Sequence, residues 1–229
     1  MASAQVLVLP THSAERAPIS RREAIFVMKE IYVIRHSQSE HHVRDMTGGW
    51  TDLPLTPLGQ NQASRLAEHL AAVIGKRAVS LFSSDLQRAS MTAAAVAKRL
   101  EIEVIEDAGL REFNNGQAKG LTNSEAKAIE LPRTEPVVDW IPYPESETWR
   151  QMTDRVAQCM DRLAIESEPT AIIVTHAGSA SAIVKWWLRL PEPIRYAIEF
   201  EFRPCSVTEL TENEWGERVI VRLNDTAHL

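Results

Sequence analysis

From Met28 onward, short runs of β-branched and apolar residues alternate with longer stretches of helical period. That alternation confines the chain to a layered α/β fold with a mostly parallel sheet, because parallel neighbours need crossover helices between them. The pattern predicts strands at Glu30–Ile34, Val79–Phe82, Glu103–Ile105, Ala171–Val174, Ser206–Leu210 and Glu217–Leu223. A first helix opens where Thr56 precedes Pro57, carries Leu66, Leu70, Val73 and Ile74 on one face, and stops at Gly75. A second opens at Ser84, whose spacing to Gln87 suits a capping box, and runs through Ala93–Leu100. A third spans Thr148–Ile165 with Val156, Met160 and Leu163 inward, and a fourth covers Gly178–Leu190 before Pro191.

Two stretches stand outside this rhythm. Residues 1–27 are polar, charged and weakly periodic, and are read as an N-terminal extension outside the core of a single domain, 28–229. Between Leu121 and Glu147, a short helical stretch at Asn123–Glu130 gives way to Pro132, Pro136, Pro142 and Pro144. So long a weakly patterned segment inside a domain is commonly functional, and about 121–147 is read as a lid-like insertion.

Composition removes several function classes. With 25 Lys+Arg against 31 Asp+Glu in 229 residues, the net charge is −6. That opposes a main role in non-specific binding to nucleic acid or an anionic membrane, so an anionic ligand must meet a local cationic pocket. No apolar run reaches the roughly 18 to 20 residues of a membrane span, and the start lacks the apolar stretch of a signal peptide. Cys159 and Cys205 lack zinc-site spacing and are too few for a disulfide scaffold, which fits a reducing cytoplasm.

The chemistry-bearing residues sit at strand ends. The first strand runs into Arg35-His36, and the fourth into Thr175-His176-Ala177-Gly178, so two imidazoles leave the carboxyl ends of strands, where α/β sheets open into ligand crevices. Arg88 falls in the first turn of the second helix, where the helix dipole also favours an anion. Taken singly, each has an ordinary structural reading: a histidine bonded to backbone, a solvated arginine.

Five ordered motifs together resemble the histidine phosphatase, or phosphoglycerate mutase-like, superfamily. They are Arg35-His36-Ser37-Gln38-Ser39-Glu40; Trp50-Thr51-Asp52-Leu53-Pro54-Leu55-Thr56-Pro57-Leu58-Gly59-Gln60; Ser83-Ser84-Asp85-Leu86-Gln87-Arg88-Ala89; Leu110-Arg111-Glu112 with Gly116; and Val174-Thr175-His176. The resemblance covers Met28 to about Leu223 and implies a three-layer α/β/α fold with a mostly parallel central sheet. It further implies metal-free hydrolysis of a small-molecule phosphomonoester, of the histidine acid phosphatase type and without a cofactor. His36 would be the nucleophile that forms a phosphohistidine. Arg35, Arg88 and His176 would hold the phosphoryl oxygens, and Glu112 would protonate the leaving alcohol.

The chain departs from the family pattern around this pocket. Ser37 stands where the family has Gly and could add a hydroxyl donor, and His42 stands where the family often has a phosphate-contacting Asn. Ala177, after the second histidine, joins Ser37 and His42 as a candidate phosphate contact. Ser146-Glu147-Thr148 stands for the family's Gly-Glu-Ser, with Arg155 eight residues beyond Glu147, which suggests a role in orienting the site. The histidines invite a metal reading, but His41 and His42 are adjacent and expected to diverge, and no carboxylate or Cys completes a ligand set, so no metal site is assigned. Trp186 and Trp187 are read as core or subunit contact, which leaves a homo-oligomer open. Two other functions stay open: a phosphoglycerate-type mutase, and a phosphate-ligand-binding protein without turnover. In the insertion, Trp140 and Tyr143 are placed to flank an apolar or ring-shaped group.

Overall fold

A computed structural model describes residues 28–229; the proposed extension, 1–27, lies outside the described residues. In chain order the elements are β1 Glu30–Arg35, α1 Glu40–Val43, α2 Pro57–Ile74, β2 Ser80–Ser83, α3 Gln87–Leu100, β3 Val104–Glu106, α4 Asn123–Ala128, α5 Trp149–Glu166, β4 Thr170–Thr175, α6 Ala177–Trp187, α7 Glu192–Arg195, β5 Val207–Glu212 and β6 Arg218–Asp225. The sheet order is β3-β2-β4-β1-β5-β6. The first four strands in that order are mutually parallel, and β5 and β6 extend the edge antiparallel.

Alternation along β1 explains the layers. Ile31 and Val33 face one side and pack with Val156, Met160, Leu163 and Ile183 of α5 and α6. Tyr32 and Ile34 face the other and pack with Leu66, Leu70, Ala93 and Val96 of α2 and α3. Each leucine fully buried in these layers contributes about 1.5–3 kcal/mol over its exposed state. Trp187 is completely buried in the first layer, so it is a core residue. Cys159 and Cys205 are free, buried and on opposite faces of the sheet, too far apart to pair.

Local chemistry sets several boundaries. Thr56 caps α2 by accepting from the Gly59 amide at 3.0 Å, and Thr148 and Gln151 form a reciprocal capping box at α5. Gly59 is required by packing: a Cβ there would lie 1.9 Å from the Gln38 carbonyl oxygen, so only glycine lets α2 meet the loop that follows the first histidine. Val73, expected on the inner face of α2, is 39% exposed; the inward residues are Leu66, Leu70 and Ile74.

The second helix corrects the sequence reading more substantially. It starts at Gln87, not at Ser84, and its first amide is taken at 2.7 Å by the Asp52 carboxylate from a loop 35 residues upstream. The fourth helix likewise stops at Trp187, short of Leu190.

Candidate active site

β1 and β4 are parallel neighbours with Arg35 opposite Thr175, so His36 and His176 leave the sheet side by side. The His36 amide donates to the Thr175 carbonyl at 2.8 Å, and the two rings lie 5.1 Å apart in an edge-on arrangement. Both imidazoles are essentially buried. The Nδ1 of His36 lies 2.7 Å from the Ser37 carbonyl oxygen, which can only accept, so Nδ1 carries the proton and Nε2 keeps its lone pair. Burial, followed by the charge of Arg88, holds the His36 pKa well below its ordinary 6.5, and His176 is lowered from the same two causes.

Arg88 is the hub. Its Nε faces His36 Nε2 at 3.1 Å and His176 Nδ1 at 3.2 Å, while its two terminal nitrogens donate to the carbonyls of Thr51 and Gly49 at 2.7 and 2.6 Å. Those carbonyls fix the guanidinium plane. Burial lowers its pKa to about 10, which leaves it charged at neutral pH. The other nitrogen of His176, Nε2, lies 2.8 Å from the Ser84 hydroxyl. Ser84 thus meets the site, and its hydroxyl also accepts from the Leu86 amide at 3.3 Å, just before α3.

Arg35 donates to the Phe202 carbonyl at 2.6 Å, and its Nε is buried with no hydrogen-bond partner. A buried cationic donor without an acceptor is costly, and a phosphoryl oxygen is the kind of group that would relieve it. His42 shows a related conflict. Its Nδ1 accepts from the Ser39 amide at 3.1 Å, yet its Nε2 lies 2.8 Å from an Arg35 terminal nitrogen. A neutral ring has one lone pair, so it cannot accept at both nitrogens.

Ser37 is fully buried; its amide donates to Thr92 Oγ1 at 3.1 Å, but its hydroxyl has no partner. Ala177 is the first residue of α6 and lines the adjoining cavity. His41 and His42 do not diverge as expected: their rings lie 3.9 Å apart, and with His36 they bring three nitrogens within 4.8 Å of one another. Three imidazoles are a donor set for a divalent transition metal. Burial above all lowers the pKa values of His41 and His42, to about 3 and about 4, with His42 adding to the shift of His41; the guanidiniums of Arg35 and Arg88 lower both further and oppose a metal cation in the same way.

Glu112 is held by backbone. Its carboxylate oxygens accept from the amides of Phe113 and Gly178, each at 2.9 Å. Gly178 leaves no room for more: a Cβ there would lie 2.5 Å from Glu112 Oε1. The loop carrying Glu112 is pinned from behind by Arg155, which donates to the carbonyls of Gly109, Arg111 and Glu112 at 2.9, 2.9 and 3.1 Å and pairs with Glu147 at 2.6 Å. Trp50 Nε1 also donates to the Glu112 carbonyl at 2.8 Å.

The structure thus brings Arg35, His36, His42, Arg88 and His176 around one pocket, with Glu112 fixed beside α6. The profile of the histidine phosphatase superfamily (branch 1) matches residues 31–226. The chain belongs to that superfamily.

Its relatives within the superfamily carry different activities in their names. A "Probable phosphoglycerate mutase" of Shigella boydii is 29% identical over 213 residues, 88% of this chain and 95% of the relative. A "Broad-specificity phosphatase" of Saccharomyces cerevisiae is 25% identical over 202 residues, 87% and 86% of the two chains. The native structure of a mycobacterial glucosyl-3-phosphoglycerate phosphatase superposes with a TM-score of 0.69 at 25% identity, covering 86% of this chain and 99% of that one. The phosphoglycerate mutase-like α/β/α architecture is therefore shared.

Several contributors were not visible as functional residues in the sequence. The carbonyls of Gly49 and Thr51 and the amide of Gly178 act through backbone, which side-chain identity does not announce. Phe113 and Trp149, ring centroids 4.6 Å apart, line the cavity beside Glu112; an aromatic directly after the acid was the signal available. Tyr143 lines that cavity as expected, but Trp140 is not among its lining residues. No helix among the described residues is long and apolar enough to cross a membrane.

Proposed function

We propose that the protein hydrolyses small-molecule phosphomonoesters through a phosphohistidine on His36, without a cofactor. The observation that carries this reading is the state of His36: its Nδ1 proton is engaged by the Ser37 carbonyl, so a neutral ring presents the Nε2 lone pair beside Arg88. Nε2 attacks phosphorus as the bond from phosphorus to the alcohol oxygen breaks, and Glu112, starting protonated, gives its proton to that oxygen. The phosphorylated ring is cationic, and the Ser37 carbonyl stabilises it through Nδ1–H. Glu112, now a carboxylate, takes a proton from water as the water oxygen attacks phosphorus; the phosphorus–nitrogen bond breaks and inorganic phosphate leaves.

Arg88, Arg35 and His176 supply fixed donors to the equatorial oxygens, where charge stabilisation contributes most. His176 Nδ1 accepts from Arg88 Nε at 3.2 Å, so it donates to the phosphoryl group only once that N–H has turned to the anion and the Ser84 hydroxyl donates to Nε2. A phosphoryl oxygen gives an acceptor to Arg35 Nε and to a donor nitrogen of His42. Ser37 acts through its backbone, and Ala177, the first residue of α6, lines the adjoining cavity. The insertion at about 121–147 supplies Val137, Val138 and Tyr143 to the cavity, which supports its reading as a lid.

The test is release of p-nitrophenol from its phosphate ester in excess chelator by the wild type and by His36→Ala. Turnover that survives chelation and disappears in the variant supports the reading; turnover retained by His36→Ala contradicts it. The relative named as a mutase favours a second reading, return of the phosphoryl group to substrate. Incubation with 3-phosphoglycerate separates the two: hydrolysis gives glycerate and phosphate, and mutation gives 2-phosphoglycerate.

A further inference from the structure

A cavity of about 800 Å³ opens beside Glu112, within the range of roughly 300–1,000 Å³ typical of sites for ligands much larger than a three-carbon acid. If Glu112 protonates the leaving oxygen, this cavity receives the alcohol part of the ester, so its lining selects the substrate. That step rests on the hydrolytic reading of the site. Six aromatic residues line it: Phe113, Tyr143, Trp149, Tyr196, Phe200 and Phe202. They come from the loop after Glu112, the insertion, α5 and the segment that follows α6, so the rings surround the space from several sides.

The charges of the lining point the same way. Apart from Arg35 at the phosphoryl end, the one cationic side chain in the lining is Lys185, and its ammonium donates to Glu199 at 2.6 Å. Glu201 also lines the cavity, near enough to Arg35 for its charge to act on that guanidinium. Lys185 and Arg35 are each matched by a glutamate, so the lining offers no uncommitted cation to a second anionic group. A second anionic group on the substrate, such as a carboxylate, would have to displace Glu199 from Lys185 and then face Glu201. A neutral ring or apolar body meets no such opposition and gains from burial against aromatic faces.

We propose that the preferred substrate is a phosphomonoester of a bulky apolar or aromatic alcohol that carries no second anionic group. The phosphoryl end would then be general to the ester class, and the aromatic cavity would choose among its members.

The experiment uses the full chain with 1-naphthyl phosphate, O-phosphoserine and 3-phosphoglycerate as probes. For the wild type in chelator, kcat/KM for 1-naphthyl phosphate is expected to exceed that for either anionic ester by at least about tenfold. The double variant Trp149→Ala/Tyr143→Ala is expected to lower that ratio about tenfold, mainly through KM. Calorimetric titration of His36→Ala with the same esters reads the cavity without turnover, and the same order of affinity is expected. Equal or better use and binding of phosphoserine or 3-phosphoglycerate overturns the proposal, as does a ratio unmoved by the double variant. A wild type that turns over none of the esters while His36→Ala keeps the affinity order would contradict the hydrolytic reading and support the cavity's preference.

Discussion

The phosphoryl pocket and the aromatic cavity meet at Glu112 but are built in different ways. In the pocket, His36 and His176 leave adjacent strands, and Arg88 lies in the first turn of α3 with its terminal nitrogens tied to two carbonyls. Such side chains have little freedom, because the sheet register and the helix position fix their backbone. The cavity instead takes its rings largely from connecting segments: the loop at Phe113, the insertion at Tyr143, and the stretch at Tyr196, Phe200 and Phe202. A reaction that depends on fixed charge is placed on rigid elements, and a surface that selects the alcohol is placed where loops can vary.

Removing the hub of the rigid region should have the largest effect. Arg88→Met is expected to lower kcat/KM by about 10²–10³, since one preorganised donor to developing charge is worth that much. An effect under tenfold would show that Arg88 does not meet the transferring group. The backbone clamp on Glu112 comes next. Gly178→Ala places a methyl group 2.5 Å from Glu112 Oε1, close enough to push the carboxylate aside, and kcat is expected to fall by about 10–100-fold, as small misplacements of reacting groups do. Unchanged kcat would mean that the carboxylate works from another position.

Arg155→Ala acts one step further out, by freeing the loop that carries Glu112. Its expected effect is about tenfold on kcat, with KM within about threefold. A rise in KM alone would place Arg155 in substrate binding instead of in positioning Glu112.

The smallest expected effect is that of pH on the pocket. His36 is held well below 6.5, so it stays neutral as pH falls from about 7 to about 6, and kcat/KM should hold or rise over that interval. A fall through 6.5 would mean that His36 titrates as an ordinary imidazole. Stability has the opposite trend. On unfolding, His36 and His176 regain ordinary values, so the unfolded chain binds more protons below about pH 6.5 and stability declines with acidification. The slope is up to about 1.4 kcal/mol per pH unit for each imidazole, measurable by denaturant titration at several pH values.

The same contrast explains what the sequence reveals. All six strands and the four long helices are legible because Ile31–Ile34, Ala171–Val174 and the Leu66–Leu70–Ile74 stripe obey the periods of their elements. Arg35, His36 and His176 are legible because strand ends are readable, and Arg88 joins them through the order of the motifs, although the start of its helix is misplaced. The start of α3 is not legible, because its first amide is taken by Asp52 from a distant loop. The close, tilted contact of the His41 and His42 rings is also hidden: it depends on the turn of α1, four residues too short to show a period. Backbone groups at Gly49, Thr51 and Gly178 carry no side-chain signature, and the aromatic cavity is assembled from segments far apart in the chain.

The central claim is that the phosphoryl group passes through His36. The most direct measurement is an acid-free rapid quench of excess wild-type enzyme with a ³²P-labelled monoester, followed by location of the label in the chain. The account predicts a transient label that is stable to alkali, labile to acid and mapped to His36. Single-turnover release of phosphate with no label on the protein, or with label on another residue, would contradict it.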